Sequence, residues 1–475
     1  MPNQHKALPP DDVVRPLLVK YDGYNWSVPK ICERLKKELP PEYGISVSSV
    51  KRLRKRFGLK GTRQQAHTKD SILGPILEIR EQYPTYGARK ITDTLRLKFD
   101  IKVPEATVAA LLKDIEPEAV EQRRKKRFVR RAFYAAGVND IWAFDQHDKW
   151  KRFGLYLHAG LDVFPGRVLW CKIWWTNRQP RLITSYYLKT AQNQNGVPMI
   201  TMSDLGTENY GIANCHTHIR HRLDPSLQGT RQHRWMMGTH NIKPEIWWSI
   251  LRQGWTPGFE ATLQEGLIHN WYDPLIVTHK LVFLWLALPW LQAEMDSWVD
   301  QFNSTQRRSV QSKGLPHGIP NDIAEHPEEY GGRDFKIIVP DNLFDEMIHD
   351  WAPPDHPVFE LVPATMERII VAHYEAMGRP QVSHRSFWGI FQELLMDVER
   401  QVANSSELTM SVATAPQSER QLVDGPQDLH PLGSEKDLSD PDDSDDSDSE
   451  ENPRLAGAIA ATITPSPPGT DDEDN

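Results

Sequence analysis

The chain has 475 residues, of which 39 % are hydrophobic and 25 % are charged, an ordinary composition for a soluble protein of several domains. Its longest apolar stretch, Leu281 to Leu291, is too short to cross a bilayer and contains Pro289, so we expect a buried helix and no membrane partner. The N-terminus has no apolar signal region, and the three cysteines are too widely spaced for a disulfide framework or a cysteine-based zinc site. An intracellular, reducing compartment is therefore expected.

Charge is distributed unevenly along the chain, and the net value of −8 hides the difference. Residues 1–135 sum to +13, whereas the 14 acids and two bases of residues 435–475 sum to −12. A basic front with an acidic tail is typical of proteins that handle nucleic acid, and such a tail can compete for the basic surface. Because the sequence is rich in Ser, Asp, Pro and Glu, we expect a disordered acidic tail over 403–475.

Residues 1–67 are predicted to form a first helix-turn-helix module. Helices are expected over 11–21 and about 28–39, and a third helix follows a serine N-cap at Ser46 or Ser48. The third helix carries five bases: Lys51, Arg52, Arg54, Lys55 and Arg56. A basic helix in this position is the one that enters the major groove of double-stranded DNA, so the five are candidate DNA-binding residues. A solvated basic helix is the alternative.

Residues 68–135 are predicted to hold a second helical DNA-binding module and a basic linker. Ile72, Ile76 and Ile79 form an apolar stripe at helical spacing, and two more helices are expected before residue 115. The module either extends the DNA contact of the first one or only packs against the rest of the protein.

The linker contains a cluster of bases: Arg123, Arg124, Lys125, Lys126 and Arg127. A charge run is usually a solvated segment, but this one joins a predicted DNA-binding region to the rest of the chain, so we expect contacts with DNA phosphates. A nuclear localisation signal is an overlapping interpretation, and the nucleus is the expected compartment.

Three strands, a helix and a fourth strand are predicted, in that order, after the linker. The strands are expected near 141–146, 155–163, 167–175 and 197–203, with a helix near 178–192. Residues 210–240 are rich in His and Arg, and we expect a basic loop that touches DNA or covers the site. A zinc site is the weaker alternative, because Cys215 is the one cysteine nearby. Residues 256–402 are predicted to be mainly helical.

Three acids carry the functional prediction. Asp145 and Asp204 each close an apolar, β-prone run, so their carboxylates are expected at strand ends. Glu245 follows Pro244, where a helix can begin, and should face the same strand ends. Like charges ~4 Å apart repel by roughly 4 kcal/mol at an effective dielectric of ~20, and Mg²⁺ or Mn²⁺ would neutralise such a cluster. Two such ions can activate a nucleophile and stabilise a leaving oxygen in phosphoryl transfer.

The helix that carries Glu245 is expected to turn it away from a buried side. That side is predicted from two pairs at i, i+4 spacing: Ile246 with Ile250, and Trp247 with Leu251. The alternative is that the three acids are unrelated surface residues, since the chain has 64 acids in all.

The residues around the acids resemble the integrase core domain family, which includes retroviral-type integrases and insertion-sequence transposases. Residues 204–209 read Asp-Leu-Gly-Thr-Glu-Asn and are similar to the family's Asp-x-Gly-x-Glu-Asn motif. Residues 241–248 read Asn-Ile-Lys-Pro-Glu-Ile-Trp-Trp and are similar to its Asn-x-Arg-x-Glu-x-x-Trp helix. The separations of 59 residues from Asp145 to Asp204 and 41 from Asp204 to Glu245 also fit.

This resemblance implies an α/β fold with a ribonuclease-H-like catalytic core over 136–255, N-terminal helix-turn-helix modules and a mainly helical C-terminal region over 256–402. It implies that Asp145, Asp204 and Glu245 are catalytic and bind Mg²⁺ or Mn²⁺. The implied activity is metal-dependent cleavage and strand transfer on double-stranded DNA by a homo-oligomer, as in DNA integration by transposable elements.

Two departures from the family pattern support a different reading. Lys243 stands where arginine is usual and Pro244 where isoleucine is usual. They favour a domesticated, catalytically inactive DNA-binding protein, whereas the intact acidic trio argues against it. A nuclease of the same fold that cuts without joining is a third hypothesis. Lys149 and Arg252 are expected to offset phosphate charge in an active enzyme.

Overall fold

The first helices form a three-helix unit in a computed structural model that describes residues 6–116, 134–236, 241–307 and 314–414. The unit consists of α1 (Asp11–Gly23), α2 (Val28–Glu38) and α3 (Val47–Arg56). Ser46 caps α3 by accepting a hydrogen bond from the backbone N–H of Ser49 at 3.1 Å. The three predicted helices are confirmed. The connection over 39–46 is longer than the three or four residues usual in a helix-turn-helix, so that assignment stays a prediction.

A second group of helices follows: α4 (Thr62–Gln65), α5 (Lys69–Gln82), α6 (Ala88–Phe99) and α7 (Glu105–Ile115). The predicted stripe of Ile72, Ile76 and Ile79 is buried. Helices α5 to α7 share one hydrophobic core with helices that follow the sheet. The Trp298 indole N–H donates to the hydroxyl of Tyr86 within that core. This module therefore packs against the rest of the protein, one of its two predicted roles, while DNA contact by it stays a prediction.

A five-stranded mixed sheet forms the centre of the α/β part. The strands are β1 (Ile141–His147), β2 (Tyr156–Asp162), β3 (Arg167–Trp174), β5 (Ile200–Asp204) and β6 (His233–Met236), and a short β4 (Gly196–Val197) pairs instead with β7 (Ile337–Ile338). The order in the sheet is β3-β2-β1-β5-β6. β1 runs antiparallel to β2 and parallel to β5, and β5 runs parallel to β6. The four predicted strands are all present, with ends shifted by three residues at most.

Helices cover the sheet on both sides. They are α8 (Pro180–Asn193), α9 (Tyr210–Leu223), α10 (Ile242–Gly254), α11 (Thr256–Ile268) and α12 (Val277–Asn303). The helical C-terminal part adds α13 (Pro320–Glu325), α14 (Asp341–Trp351), α15 (Ala364–Ala376), α16 (Phe387–Asn404) and α17 (Ser406–Thr414). The apolar stretch before Leu291 lies inside α12 and is buried, as predicted. Among the described residues, no helix is both long and apolar enough to span a membrane.

The loop predicted over 210–240 is wrong. Residues 210–223 form α9, and the edge strand β6 follows at 233–236. Ile212, Cys215 and Ile219 are buried on one side of α9, because they recur at i, i+3 and i+7 and pack into the core under the sheet. The segment therefore belongs to the folded core.

Two of its histidines, His216 and His233, are buried in the same way. His216 shares a hydrogen bond of 2.8 Å with the hydroxyl of Tyr187 on α8, and His233 of β6 is hydrogen-bonded to Thr201 at 2.9 Å. Burial lowers the pKa of both imidazoles, so they are neutral at pH 7. Within the described chain, these contacts show that the two histidines are part of the hydrophobic core.

Helix α12 covers the open edge of β3 with two side-chain amides. Gln292 accepts from the backbone N–H of Ile173 at 2.9 Å and donates to the carbonyl of Cys171 at 3.0 Å. Asn303 accepts from the N–H of Val168 at 2.9 Å and donates to its carbonyl at 2.8 Å. Each amide imitates a neighbouring strand, so this edge is not open to another strand.

The three-helix unit of α1 to α3 is attached through charged groups. Arg34 lies 2.8 Å from a carboxylate oxygen of Glu329 and 3.2 Å from one of Asp322, and Lys102 pairs with Asp22. Arg34 and Asp322 are buried, so loss of Arg34 would leave the Asp322 carboxylate without this cationic partner, whereas loss of Asp322 would leave Arg34 paired with Glu329. The division into modules at 1–67, 68–135, 136–255, 256–402 and 403–475 stays a prediction, and 415–475 lies outside the described residues.

Substituting Asn303→Leu is expected to lower the free energy of unfolding by about 2–4 kcal/mol, because the buried N–H and carbonyl of Val168 would both lose their partner. Urea unfolding followed by circular dichroism measures this. The control Asn404→Leu removes one exposed hydrogen bond, to the carbonyl of Arg400, and should cost about 0.5 kcal/mol or less. Equal losses in the two variants would contradict the role given to Asn303.

Candidate active site

Two of the three predicted acids lie side by side at one end of the sheet. β1 and β5 are parallel neighbours, with Ala143 opposite Met202. When this register is continued by two residues along each strand, Asp145 lies beside Asp204. Adjacent strands are ~4.8 Å apart and residues two apart point to one face, so the two carboxylates share a face of the sheet.

Trp248 ties the helix of the third acid to this pair. Its indole N–H donates to Oδ2 of Asp145 at 2.8 Å. Its ring stacks on His147, two residues further along β1, with centroids 4.8 Å apart. Because Trp248 lies about one turn after Glu245 on α10, the contact brings Glu245 to the same end of the sheet.

Asn241 links the start of α10 to both strands. It is buried, and its side-chain N–H donates to the carbonyl of Phe144 on β1 at 2.9 Å. The same side chain lies against Asp204 and lowers the pKa of that carboxyl. The sequence motif contained Asn241 and Trp248, but it gave neither a role. In the structure, both side chains contact the acids and hold them in position. The signal in the sequence was a polar or amphipathic residue within about one helical turn on either side of Glu245.

The predicted buried side of α10 is partly wrong. Trp247 and Leu251 are buried as expected, but Ile246 is 42 % exposed. Trp248 is buried in its place, because its ring fills the space between the helix and His147. Glu245 itself is exposed.

Burial and mutual repulsion raise the pKa values of the acids. The pKa of Asp145 rises to about 7, first because burial disfavours the carboxylate and then because Asp204 lies close; Glu245 adds to the rise. Hydrogen bonds from the Gln146 N–H and from Trp248 oppose the shift. Burial also raises the pKa of Asp204. Without a cation, the site therefore favours keeping a proton on one of the pair.

The Asp145–Asp204 pair fits a divalent cation. Oδ1 of Asp204 is buried and accepts no hydrogen bond from any described residue, so it has an unsatisfied lone pair beside a second carboxylate. Hard oxygen donors of this kind suit Mg²⁺ or Mn²⁺. Within the described ranges, no three His, Cys, Asp or Glu side chains converge closely enough to hold a metal ion. Glu245 would have to approach the pair to complete a three-carboxylate site.

A further acid, Glu208, lies next to the pair. It is buried, accepts a hydrogen bond from Asn209 at 3.1 Å, and has a pKa raised first by burial and then by Asp148. A Cβ at Gly206 would lie 1.8 Å from a carboxylate oxygen of Glu208, so a larger residue there requires the buried Glu208 side chain to move. This contact gives a structural reason for the glycine of the Asp-x-Gly-x-Glu-Asn motif.

Two cations lie near His147 on β1, and their predicted role in offsetting phosphate charge stays a prediction. Lys149 and Arg252 are both exposed, and both lower the pKa of His147, which burial alone already depresses; the result is a pKa of about 4. His147 is therefore neutral at pH 7, and the positive charge near the site comes from Lys149 and Arg252.

The five predicted DNA-binding residues of α3 divide into two groups. Lys51, Arg52 and Lys55 are exposed. Arg54 is half-buried and paired with Asp22, and Arg56 is paired with Asp11, so both take part in contacts within the unit. The other predicted group, Arg123, Arg124, Lys125, Lys126 and Arg127, lies outside the described residues.

Comparison with known families identifies the sheet and its surroundings. Residues 132–319 match the family described as the integrase core domain. The chain contains an integrase core domain. All three acids lie inside the matched stretch, and the family indicates integrase- or transposase-like function, DNA binding and use of divalent metal. No curated protein matches the chain.

Substituting Asp145→Asn is expected to stabilise the metal-free protein by about 1–3 kcal/mol at pH 8, with the gain shrinking toward pH 4.5. The direction of this change in the free energy of unfolding follows from the raised pKa of Asp145. Because the folded-state pKa of Asp145 is raised to about 7, the wild type loses stability as pH rises from the ordinary carboxyl range through 7, and asparagine removes that loss.

Urea unfolding in EDTA at the two pH values measures the difference. Asp148→Asn, at an exposed acid three residues away, is the matched control and should show no such gain. Mn²⁺ should raise the stability of the wild type at pH 8 and leave Asp145→Asn unchanged. A gain that is equal at both pH values would contradict the electrostatic explanation.

Proposed function

We infer that this protein is an integrase- or transposase-type polynucleotidyl transferase that cuts and joins DNA phosphodiester bonds. The observation that carries the proposal is the side-by-side arrangement of Asp145 and Asp204 on parallel strands of an integrase core domain, with the helix of Glu245 tied to Asp145. The sheet order, with three antiparallel strands followed by two parallel ones, supports a ribonuclease-H-like fold for this core.

Asp145, Asp204 and Glu245 are the proposed catalytic and metal-binding residues. Bound Mg²⁺ or Mn²⁺ would supply activation of a water or 3′-hydroxyl nucleophile and neutralisation of charge on the leaving oxygen. The chain's own residues orient the acids: Trp248 holds Asp145 through its indole N–H, and Asn241 lies against Asp204.

DNA binding and assembly complete the proposal. The exposed bases of α3 (Lys51, Arg52 and Lys55) and the exposed Lys149 and Arg252 beside the acids offer positive charge to DNA phosphates. Joining two DNA ends takes more than one active site, so we propose a homo-oligomer, and we propose the nucleus as its compartment.

The second candidate is a domesticated DNA-binding protein without chemistry. Two observations favour it: no three ligands converge within the described residues, and Pro244 stands in the first turn of α10. The first candidate is preferred because the pair of raised-pKa carboxylates costs stability, which a purely structural role does not require.

The first test is cleavage and strand transfer on labelled duplex DNA with Mg²⁺ or Mn²⁺. The wild type should cut and join, and Asp204→Asn should lose about 100-fold or more while still binding DNA. Asp148→Asn is the matched control and should keep activity. Inactivity of all three proteins with DNA binding retained would support the domesticated protein, and cutting without joining would support a nuclease.

Substituting Trp248→Phe is expected to weaken Mn²⁺ binding about 3–10-fold at pH 7 and less at pH 8.5. The indole hydrogen bond stabilises the Asp145 carboxylate, so its loss raises the pKa further and makes a proton compete with the metal. Calorimetric titration measures both affinities. The control Trp247→Phe changes a ring that packs on Trp298 and Phe302 instead. A loss independent of pH would contradict the proton-competition account.

A further inference from the structure

A cavity of about 410 Å³ lies on the opposite side of α10 from the acids. Its walls come from α6, from the C-terminal half of α10 and from the end of α12. The lining residues that matter here are Tyr86, Arg89, Lys90, Ile250, Trp298 and Phe302. The cavity therefore joins the second helical module to the helix that carries Glu245.

One wall of the cavity is positively charged. Arg89 is exposed and donates to the carbonyl of Gln306 at 3.0 Å, which leaves the rest of its guanidinium facing the cavity region. Lys90 is next to it, with its ammonium 5.1 Å from the centre of the Tyr86 ring. Among the described residues, Lys90 has no carboxylate within ion-pair distance. The one acid in the lining, Asp93, is paired with Arg96 at 2.9 Å.

Lys90 is exposed as a residue, and its ammonium lies against the chain on one side, where a Cβ at Gly254 would be 3.3 Å from it. Partial burial of the ammonium lowers the pKa of Lys90. An accessible cation without a carboxylate partner can accept an anionic ligand.

The opposite wall is apolar and rigid. Trp298 stacks on Phe302 with ring centroids 5.8 Å apart, and the Trp298 indole N–H bonds the hydroxyl of Tyr86. Ile250 adds aliphatic surface from α10. A third cation of the lining, Arg307, has its guanidinium 4.0 Å from the centre of the Phe302 ring. Aliphatic surface and a flat guanidinium near two further cations suit a ligand with an anionic group at one end and a planar face at the other.

The cavity lies close to the acids along the helix axis. Ile250 and Gln253 follow Glu245 by five and eight residues on α10, which is a distance of roughly 7–12 Å at 1.5 Å per residue. Because the cavity lies across α10 from the acids, the helix diameter of about 10–12 Å adds to this axial distance and gives roughly 12–17 Å in all. That separation equals about four to five nucleotides at 3.4 Å per nucleotide. A DNA strand whose phosphodiester is held at Asp145 and Asp204 can therefore reach the cavity with a nearby nucleotide.

We propose that this cavity binds an unstacked nucleotide of the DNA strand, with its phosphate on Arg89 and Lys90 and its base against Ile250 and the Arg307 guanidinium that lies over Phe302. The nucleotide is about four to five positions from the reacting phosphodiester, and in this respect the inference rests on the proposed function. The second helical module thereby positions the DNA strand at the acids.

The test uses full-length protein without divalent metal and duplexes with a 3′ overhang that carry 2-aminopurine at one of the first five overhang positions. Fluorescence should rise about threefold at one or two adjacent positions, because the base leaves its neighbours. Lys90→Glu should abolish that rise and lower DNA affinity about 5–10-fold, with a salt slope smaller by about one. Lys189→Glu, at an exposed lysine of α8, is the matched control and should keep both signals.

Three results would overturn the proposal: an unchanged rise in Lys90→Glu, equal losses in Lys90→Glu and Lys189→Glu, or tight binding of free dAMP that displaces no DNA. Gln253→Trp, which fills the cavity from its rim, tests the same point if Lys90→Glu does not fold. The fluorescence measurement does not depend on DNA cleavage. If the fluorescence rises but the protein neither cuts nor joins DNA, nucleotide binding in the cavity stands and the proposed function is overturned. If the protein cuts DNA without a fluorescence rise, only the proposed nucleotide binding in the cavity is overturned.

Discussion

The repulsion between Asp145 and Asp204 is the constraint on which the rest of the site depends. Parallel pairing of β1 with β5 forces the two carboxylates onto one face, and two like charges ~4 Å apart cost roughly 4 kcal/mol at an effective dielectric of ~20. The fold offsets part of that cost with hydrogen bonds from Trp248 and Asn241. The remainder is met by a proton on Asp145, whose pKa is about 7, or by a cation.

Helix α12 connects this site to the N-terminal modules. Its polar side satisfies the edge of β3 through Gln292 and Asn303, and its aromatic side packs against the second module through Trp298. The module and the sheet therefore share one core, so DNA bound by the module, as we propose, would have a defined position relative to the acids. This connection gives the module a structural reason to adjoin an integrase core.

The sequence predicts four strands of the structure well, because each is rich in β-prone apolar residues, whereas it does not predict β6 and β7. The catalytic role of the three acids stays a prediction. The sequence predicts the surroundings less well. The spacing of Ile212, Cys215 and Ile219 indicated a helix, but neighbouring His and Arg residues masked it. No pattern in the sequence could pair Arg34 with Asp322, because residues so far apart meet only through the tertiary fold.

The exposure of Ile246 shows the limit of periodicity for a single helix. Spacing alone places Ile246 and Trp247 equally well on an apolar side, and the choice depends on what the neighbouring strand offers. β1 presents the carboxylate of Asp145 and the imidazole of His147. An indole can donate a hydrogen bond to the first and stack on the second, whereas an isoleucine side chain can do neither. Trp248 therefore takes the buried position.

The most direct test of the account is the anomalous scattering of Mn²⁺ in crystals of the wild-type protein grown above pH 7. The account predicts a Mn²⁺ ion bound by both Asp145 and Asp204 at about 2.1–2.3 Å from their oxygens, with Glu245 moved toward it. An empty carboxylate pair, in crystals that hold Mn²⁺ elsewhere on the protein, would contradict the metal-dependent chemistry proposed for this site.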